Sequence, residues 1–187
     1  VALRTESKED EVIAELTRVL EAAEQIPGHY LVEEVREARD VFDRLAPIPA
    51  VRAELVEAAR DAKHAFETTS LWRVQQAIVC LGVSVGKARR YGLSGAAGEG
   101  RKTLEDLKVL KRALLDLKHA KFQANVSIGT KSGVPESLDS LNASIHKALD
   151  AGLTNGMPTA RGLLHKLQVL DDAVQAAADA TEIGNGI

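Results

Sequence analysis

The chain has 187 residues and a net charge of −3, with 45% hydrophobic, 27% charged and only 3% aromatic side chains. That length allows one domain or a short array of repeats with a real core, and Ala, Leu and Val must fill it, which suits close-packed helices and suits a β-sandwich poorly. The charge balance argues against nucleic-acid binding by bulk charge, and so few aromatics leave little on which to stack bases or flat cofactors.

Apolar residues recur at three- and four-residue spacing, which predicts helices and no strands. The first helix is expected from Ser7, with Asp10 as capping partner, through Ile13, Leu16, Leu20 and Ala23 to a stop at Pro27-Gly28. The second carries Val35, Ala38, Phe42 and Leu45 and ends at Pro47. The third opens with Pro49 in its first turn, where a missing N–H is harmless, and carries Val51, Leu55, Ala58, Ala62 and Phe66. Ser70 caps the fourth, whose seam is Val74, Ile78, Leu81, Val85 and Ala88 before Gly92. A loop is expected over Ser94–Gly100, which holds three glycines, with the fifth helix starting near Arg101. Its seam is Leu107, Leu110, Leu114 and Leu117. The longest loop is expected over Asn125–Val134. The sixth helix starts at Pro135, carries Leu138, Leu141, Ile145 and Ala148, and stops at Gly152. The seventh starts near Pro158 and carries Leu163, Leu167, Leu170, Val174 and Ala177; the tail from Gly184 should fray.

Two pairs of segments match at one offset of 60 residues: Val85–Leu93 with Ile145–Leu153, and Leu107–Ala113 with Leu167–Ala173. The first third fits more loosely, since Leu31 and Leu45 keep the 14-residue spacing of Leu93 and Leu107 and of Leu153 and Leu167. The fold class expected is therefore all-α, about seven helices in three helical-hairpin repeats, a bundle or short solenoid. The repeats divide as 1–69, 70–134 and 135–187, with the second helix of the first broken at Pro47. The run KALDAGL, a short loop, then ARGLLHKLQVLDDAV resembles the Ala/Leu-rich helical-hairpin repeats of scaffold-type proteins in algae and other protists. That resemblance implies a surface for assembling other proteins and brings no catalytic residues; ordinary helical rod domains share the same cues.

Few residues suggest chemistry. Gly95–Thr103 resembles a phosphate-binding loop, but Arg101 separates the last glycine from Lys102 and a helix precedes it where the motif needs a strand. Gly129–Gly133 fails likewise. His29, His64, His119, His146 and His165 form no i, i+4 pair and no HExxH, so neither a metal site nor a cofactor is expected. Glu33-Glu34 and Asp171-Asp172 read as solvated faces, because neighbours on a helix point about 100° apart. The sequons at Asn125 and Asn142 are common tripeptides, and Asn142 falls in mid-helix. Cys80 has no basic neighbour within a helical turn and is expected in the core; as the only cysteine it allows no internal disulfide. This fits a reducing, intracellular setting such as cytoplasm, cilium or an organelle. The start at Val1 fits a removed targeting segment or a piece of a longer protein, and no apolar run reaches transmembrane length.

Charge is segregated. Residues 1–70 hold 16 acidic and 9 basic side chains, 71–134 hold 4 and 12, and 135–187 hold 7 and 3. On the fifth helix Arg101, Lys108 and Arg112 lie within about 40° of one another, opposite the leucine seam, with Lys111 nearby and Leu104 and Leu115 flanking them. Two readings stand: this second face is covered internally, or these six residues bind a partner with an acidic surface. The function expected is thus a non-enzymatic scaffold mediating protein–protein contacts, as one subunit of a larger complex. A peripheral lipid-binding helical protein is the alternative, ranked lower because only the fifth helix has basic residues beside its apolar face. An enzyme ranks third.

Overall fold

The computed structural model describes residues 3–25, 32–155 and 157–185. All regular structure among them is helical: α1 (Leu3–Glu24), α2 (Val32–Leu45), α3 (Ile48–Ala65), α4 (Leu71–Arg90), α5 (Ser94–Thr130), α6 (Val134–Asp150) and α7 (Pro158–Asn185). Only Ala46-Pro47 interrupts α2 and α3, where proline lacks the N–H the ladder needs. The backbone bonds on both sides, Ala46 N–H to Phe42 and Val51 N–H to Pro47, so the pair can equally be read as one kinked helix.

The chain forms two compact units whose boundaries fall inside helices. One comprises residues 1–57 and 83–100. In it α1 packs on α2, Arg39 pairs with Glu24, and Lys87 Nζ of α4 lies 2.6 Å from Glu54 of α3. Its core is Leu20, Ile48, Val51, Leu55, Val85, Ala88 and Ala97. The other comprises residues 58–82 and 101–187 and holds the largest fully buried side chains: Val74, Leu81, Leu107, Leu110, Leu141 and Leu167. In it α6 runs antiparallel to the second half of α5. Ser127 and Ser137 share a buried hydrogen bond of 2.7 Å, and eleven residues back along α5 Asp116 lies 3.6 Å from Lys147.

Two helix ends share one geometry. Gly92 (φ +77°) and Gly152 (φ +92°) adopt the left-handed conformation that favours glycine. Leu93 N–H bonds to Ala88 O and Leu153 N–H to Ala148 O, while the glycine N–H groups bond to Arg89 and Leu149. This double bond satisfies the carbonyls that a helix end leaves open. Gly152 has a second constraint, since a β-carbon there would lie 3.1 Å from the Phe66 ring. Thr154 N–H donates to Phe66 O at 3.0 Å, fastening this turn to the end of α3.

Several expectations are corrected. α1 begins at Leu3, so Ser7 lies inside a helix; the Pro27-Gly28 stop, Leu31 and His29 lie outside the described residues. The Ser94–Gly100 segment is helix, the first turns of α5. Ala97 and Gly100 are buried and extend the Leu104/Leu107 seam backwards at three- and four-residue spacing. Extending a formed helix costs no new nucleus, and the seam offsets the roughly 1 kcal/mol each glycine costs. Asn125–Thr130 is helix too, leaving only Lys131–Gly133 as the turn, with Lys131 at φ 56° and Gly133 at φ 64°. Ala124 and Ser127 keep that segment in the core. Asn125 and Thr130 donate to the carbonyls of Lys121 and Val126, so their polar groups are satisfied within the helix. Helix α7 continues through Gly184 to Asn185, and Val174 and Ala177, expected in its seam, are exposed. Cys80 is exposed as well, lying about 100° around α4 from the Val74/Leu81 seam. Elsewhere the turns stand where expected: Ser70 Oγ accepts the Arg73 N–H at 3.5 Å, and Pro49 and Pro135 sit in first turns.

Candidate functional site

The six residues singled out from sequence all lie on α5 in the larger unit, but not on one surface. Arg101, Lys108, Arg112 and Leu115 are exposed. Lys111 is half-buried, and so is Leu104, whose Cδ2 lies 4.0 Å from where a β-carbon at Gly82 of α4 would stand. Leu104 therefore belongs to the packing against α4, and the solvent face keeps the cations and Leu115.

Glu105 sits among those cations. Its carboxylate accepts a 2.8 Å bond from Lys108 Nζ. That bond and the Lys108 charge hold it below the ordinary carboxylate range against the opposing effect of burial, with smaller pulls from Arg101 and Arg112. The ridge is thus three cations and one anion.

The sequence reading missed what lies beyond the ridge. Because α5 runs to Thr130, its solvent face continues through Leu115, His119, Phe122 and Val126, at the same alternating four- and three-residue spacing as Lys108, Arg112 and Leu115. Phe122 is 67% exposed, and Leu115 and Val126 are each 47% exposed. His119 lies between them and shares a 3.0 Å contact with Gln123. Leu115, His119 and Phe122 lie within the expected helix and are readable in advance; the expected loop at Asn125 hides only Val126. A stripe that is basic at one end and apolar at the other can neutralise carboxylates and bury aliphatic surface at once.

Trp72 and Cys80 line a surface groove with Asp61, His64 and Arg73, and His64 pairs with Glu67 at 3.5 Å. Among the described residues no His, Cys, Asp and Glu side chains group as a metal site would require. Among them, too, no helix is long and apolar enough to cross a membrane. The chain finds no significant match among protein-family models, curated proteins or solved structures.

Proposed function

We propose that this chain is a non-enzymatic scaffold of three related helical hairpins, and that the exposed stripe of α5 holds an acidic amphipathic helix of a partner. The observation that carries the partner site is the run Lys108, Arg112, Leu115, His119, Phe122, Val126 on one solvent face. Isolated exposed apolar residues are ordinary on any surface, but aligned ones beside a cationic ridge form a strip on which a helix can lie. Long-range attraction speeds encounter, and the apolar end slows release.

Support for the hairpin array comes from burial. Val74, Ala77, Leu81, Ser84, Val85 and Ala88 on α4 are buried, and so are the α6 residues 60 positions later, Val134, Ser137, Leu141, Ser144, Ile145 and Ala148. Ile48, Val51, Leu55, Ala58, Ala62 and Ala65 on α3 correspond at an offset of 62 to Leu110, Ala113, Leu117, Ala120, Ala124 and Ser127 on α5, all buried. The two-residue change of offset is the difference between the connections 66–70 and 131–133. In this reading α2 and α3 together correspond to the single helix α5.

Two experiments test the two halves of the proposal. For the array, Leu81→Ala and Leu141→Ala, at equivalent fully buried positions, should cost similar stability; losses differing more than about threefold in kcal/mol would reject equivalence. For the partner site, co-precipitation from native extract should retain a salt-sensitive partner with the unaltered chain. Lys108→Glu with Arg112→Glu, or Phe122→Asp alone, should lose it without moving the melting temperature. An unchanged captured set, or large melting losses, would defeat the assignment. Flotation with anionic vesicles abolished by the same changes would put a lipid surface in the partner's place.

A further inference from the structure

Helix α7 has 28 residues and α6 has 17, so at about 1.5 Å per residue α7 outruns its neighbour by roughly 16 Å. Along the part that packs on α6, the α7 seam is covered: Leu167 is fully buried and Leu163 and Leu170 are half-buried. The seam continues at Val174, Ala177 and Thr181 with the same spacing, and there it is open, with Val174 46% exposed.

Sixty residues earlier the corresponding seam of α5 is closed. Leu110, Ala113, Leu114, Leu117 and Ala120 stay buried, and α6 lies along that half of the helix, pinned by the Ser127–Ser137 and Asp116–Lys147 contacts. The Glu54–Lys87 pair likewise joins α4 to α3. In both cases a helix docks on the element before it, in the second half of α5 or of α2 and α3 taken together, and its lysine stands at the fourteenth position counted from its first buried valine, Val74 or Val134.

We propose that the open end of the α7 seam, from Val174 to Thr181, is a docking face for one further helix of the α4/α6 kind, supplied by a partner protein and cationic in character. The inference rests on the hairpin-array reading. Continuity with the covered seam says that a helix belongs there, and charge says which kind. Residues 171–185 carry Asp171, Asp172, Asp179 and Glu182 and no basic residue. The run of alanines at 176–178 lets a second backbone approach closely. A second copy presenting its α1 suits the face badly, because α1 carries seven acidic and three basic residues. The α4 sequence, by contrast, has four basic residues and no acidic one.

The test uses two stapled, fluorescein-labelled helical peptides added to the full chain and read by anisotropy. One has the α4 sequence, residues 71–90 with Cys80→Ser; the other has the α6 sequence, residues 134–150, whose apolar pattern is the same but whose net charge is negative. The α4 peptide should bind saturably and at least tenfold more tightly than the α6 peptide at low salt. Val174→Asp in the chain should weaken it tenfold or more with an unchanged melting temperature, and Lys108→Glu with Arg112→Glu should not. Absence of saturable binding, or binding indifferent to Val174→Asp, would overturn the proposal. So would self-association of the chain that Val174→Asp abolishes, which would make a second copy the occupant. Similar losses for Leu81→Ala and Leu141→Ala without peptide binding reject the α7 face alone; dissimilar losses reject the array reading beneath it.

Discussion

Gly92 and Gly152 end α4 and α6 with the same pair of backbone bonds, yet alanine should not cost the same at the two positions. Both residues have φ well above zero, where a β-carbon crowds the backbone at roughly 1–2 kcal/mol. Around Gly92 nothing lies within 4 Å of the added carbon, so Gly92→Ala should cost that backbone term alone. At Gly152 the carbon would meet Phe66 Cδ1 at 3.1 Å and Cε1 at 3.4 Å. The ring can yield only by straining the turn that Thr154 fastens to Phe66 O, so overpacking should add about 1–3 kcal/mol. Chemical denaturation followed by circular dichroism would read both variants, and Phe66→Leu would separate the terms. The Gly152→Ala and Phe66→Leu changes should couple favourably by roughly 0.5–3 kcal/mol, because the smaller side chain leaves room for the new methyl group. Equal costs for the two alanine variants, or a pair of changes at 66 and 152 that simply add, would refute the steric argument.

Leu110→Ala and Leu167→Ala each remove a fully buried branched side chain and should destabilise by about 2–5 kcal/mol; losses below about 0.5 kcal/mol at both would mean that the seam is misplaced. Cys80, exposed on α4, should react with a thiol reagent in the native protein nearly as fast as in denaturant, and strong native protection would contradict its placement. Glu105 should titrate below ordinary glutamates by NMR, and Lys108→Met should move it back towards them. Because its folded-state value is depressed, the Lys108 contact contributes above the ordinary carboxylate range and is lost as pH falls through the depressed value. A Glu105 titration unchanged by Lys108→Met would reject that contact.

Much of this protein follows from the chain read alone. Leu107, Leu110, Leu114 and Leu117 can share one face only on a helix, and glycines at 92 and 152 stop helices because a left-handed residue there closes the last carbonyls at little cost. The all-helical fold, the prolines in first turns and the Ser70 cap are local decisions of this kind, settled by bonds between residues close in sequence. Tertiary packing decided what local rules leave balanced. Gly95, Gly98 and Gly100 favour a loop by propensity, yet the segment is helix because Ala97 and Gly100 continue a buried seam. Asn125–Thr130 is helix because Ser127 meets Ser137 across the turn. The same dependence runs through the candidate surfaces. Periodicity put Val174 in a core and Leu104 on a contact face, but an apolar residue is buried only where another element reaches it. Val174 is left open to water, whereas α4 passes beside Leu104 at Gly82. A sequence states which residues share a face of a helix; the length and position of the neighbouring helix decide whether that face meets protein or water.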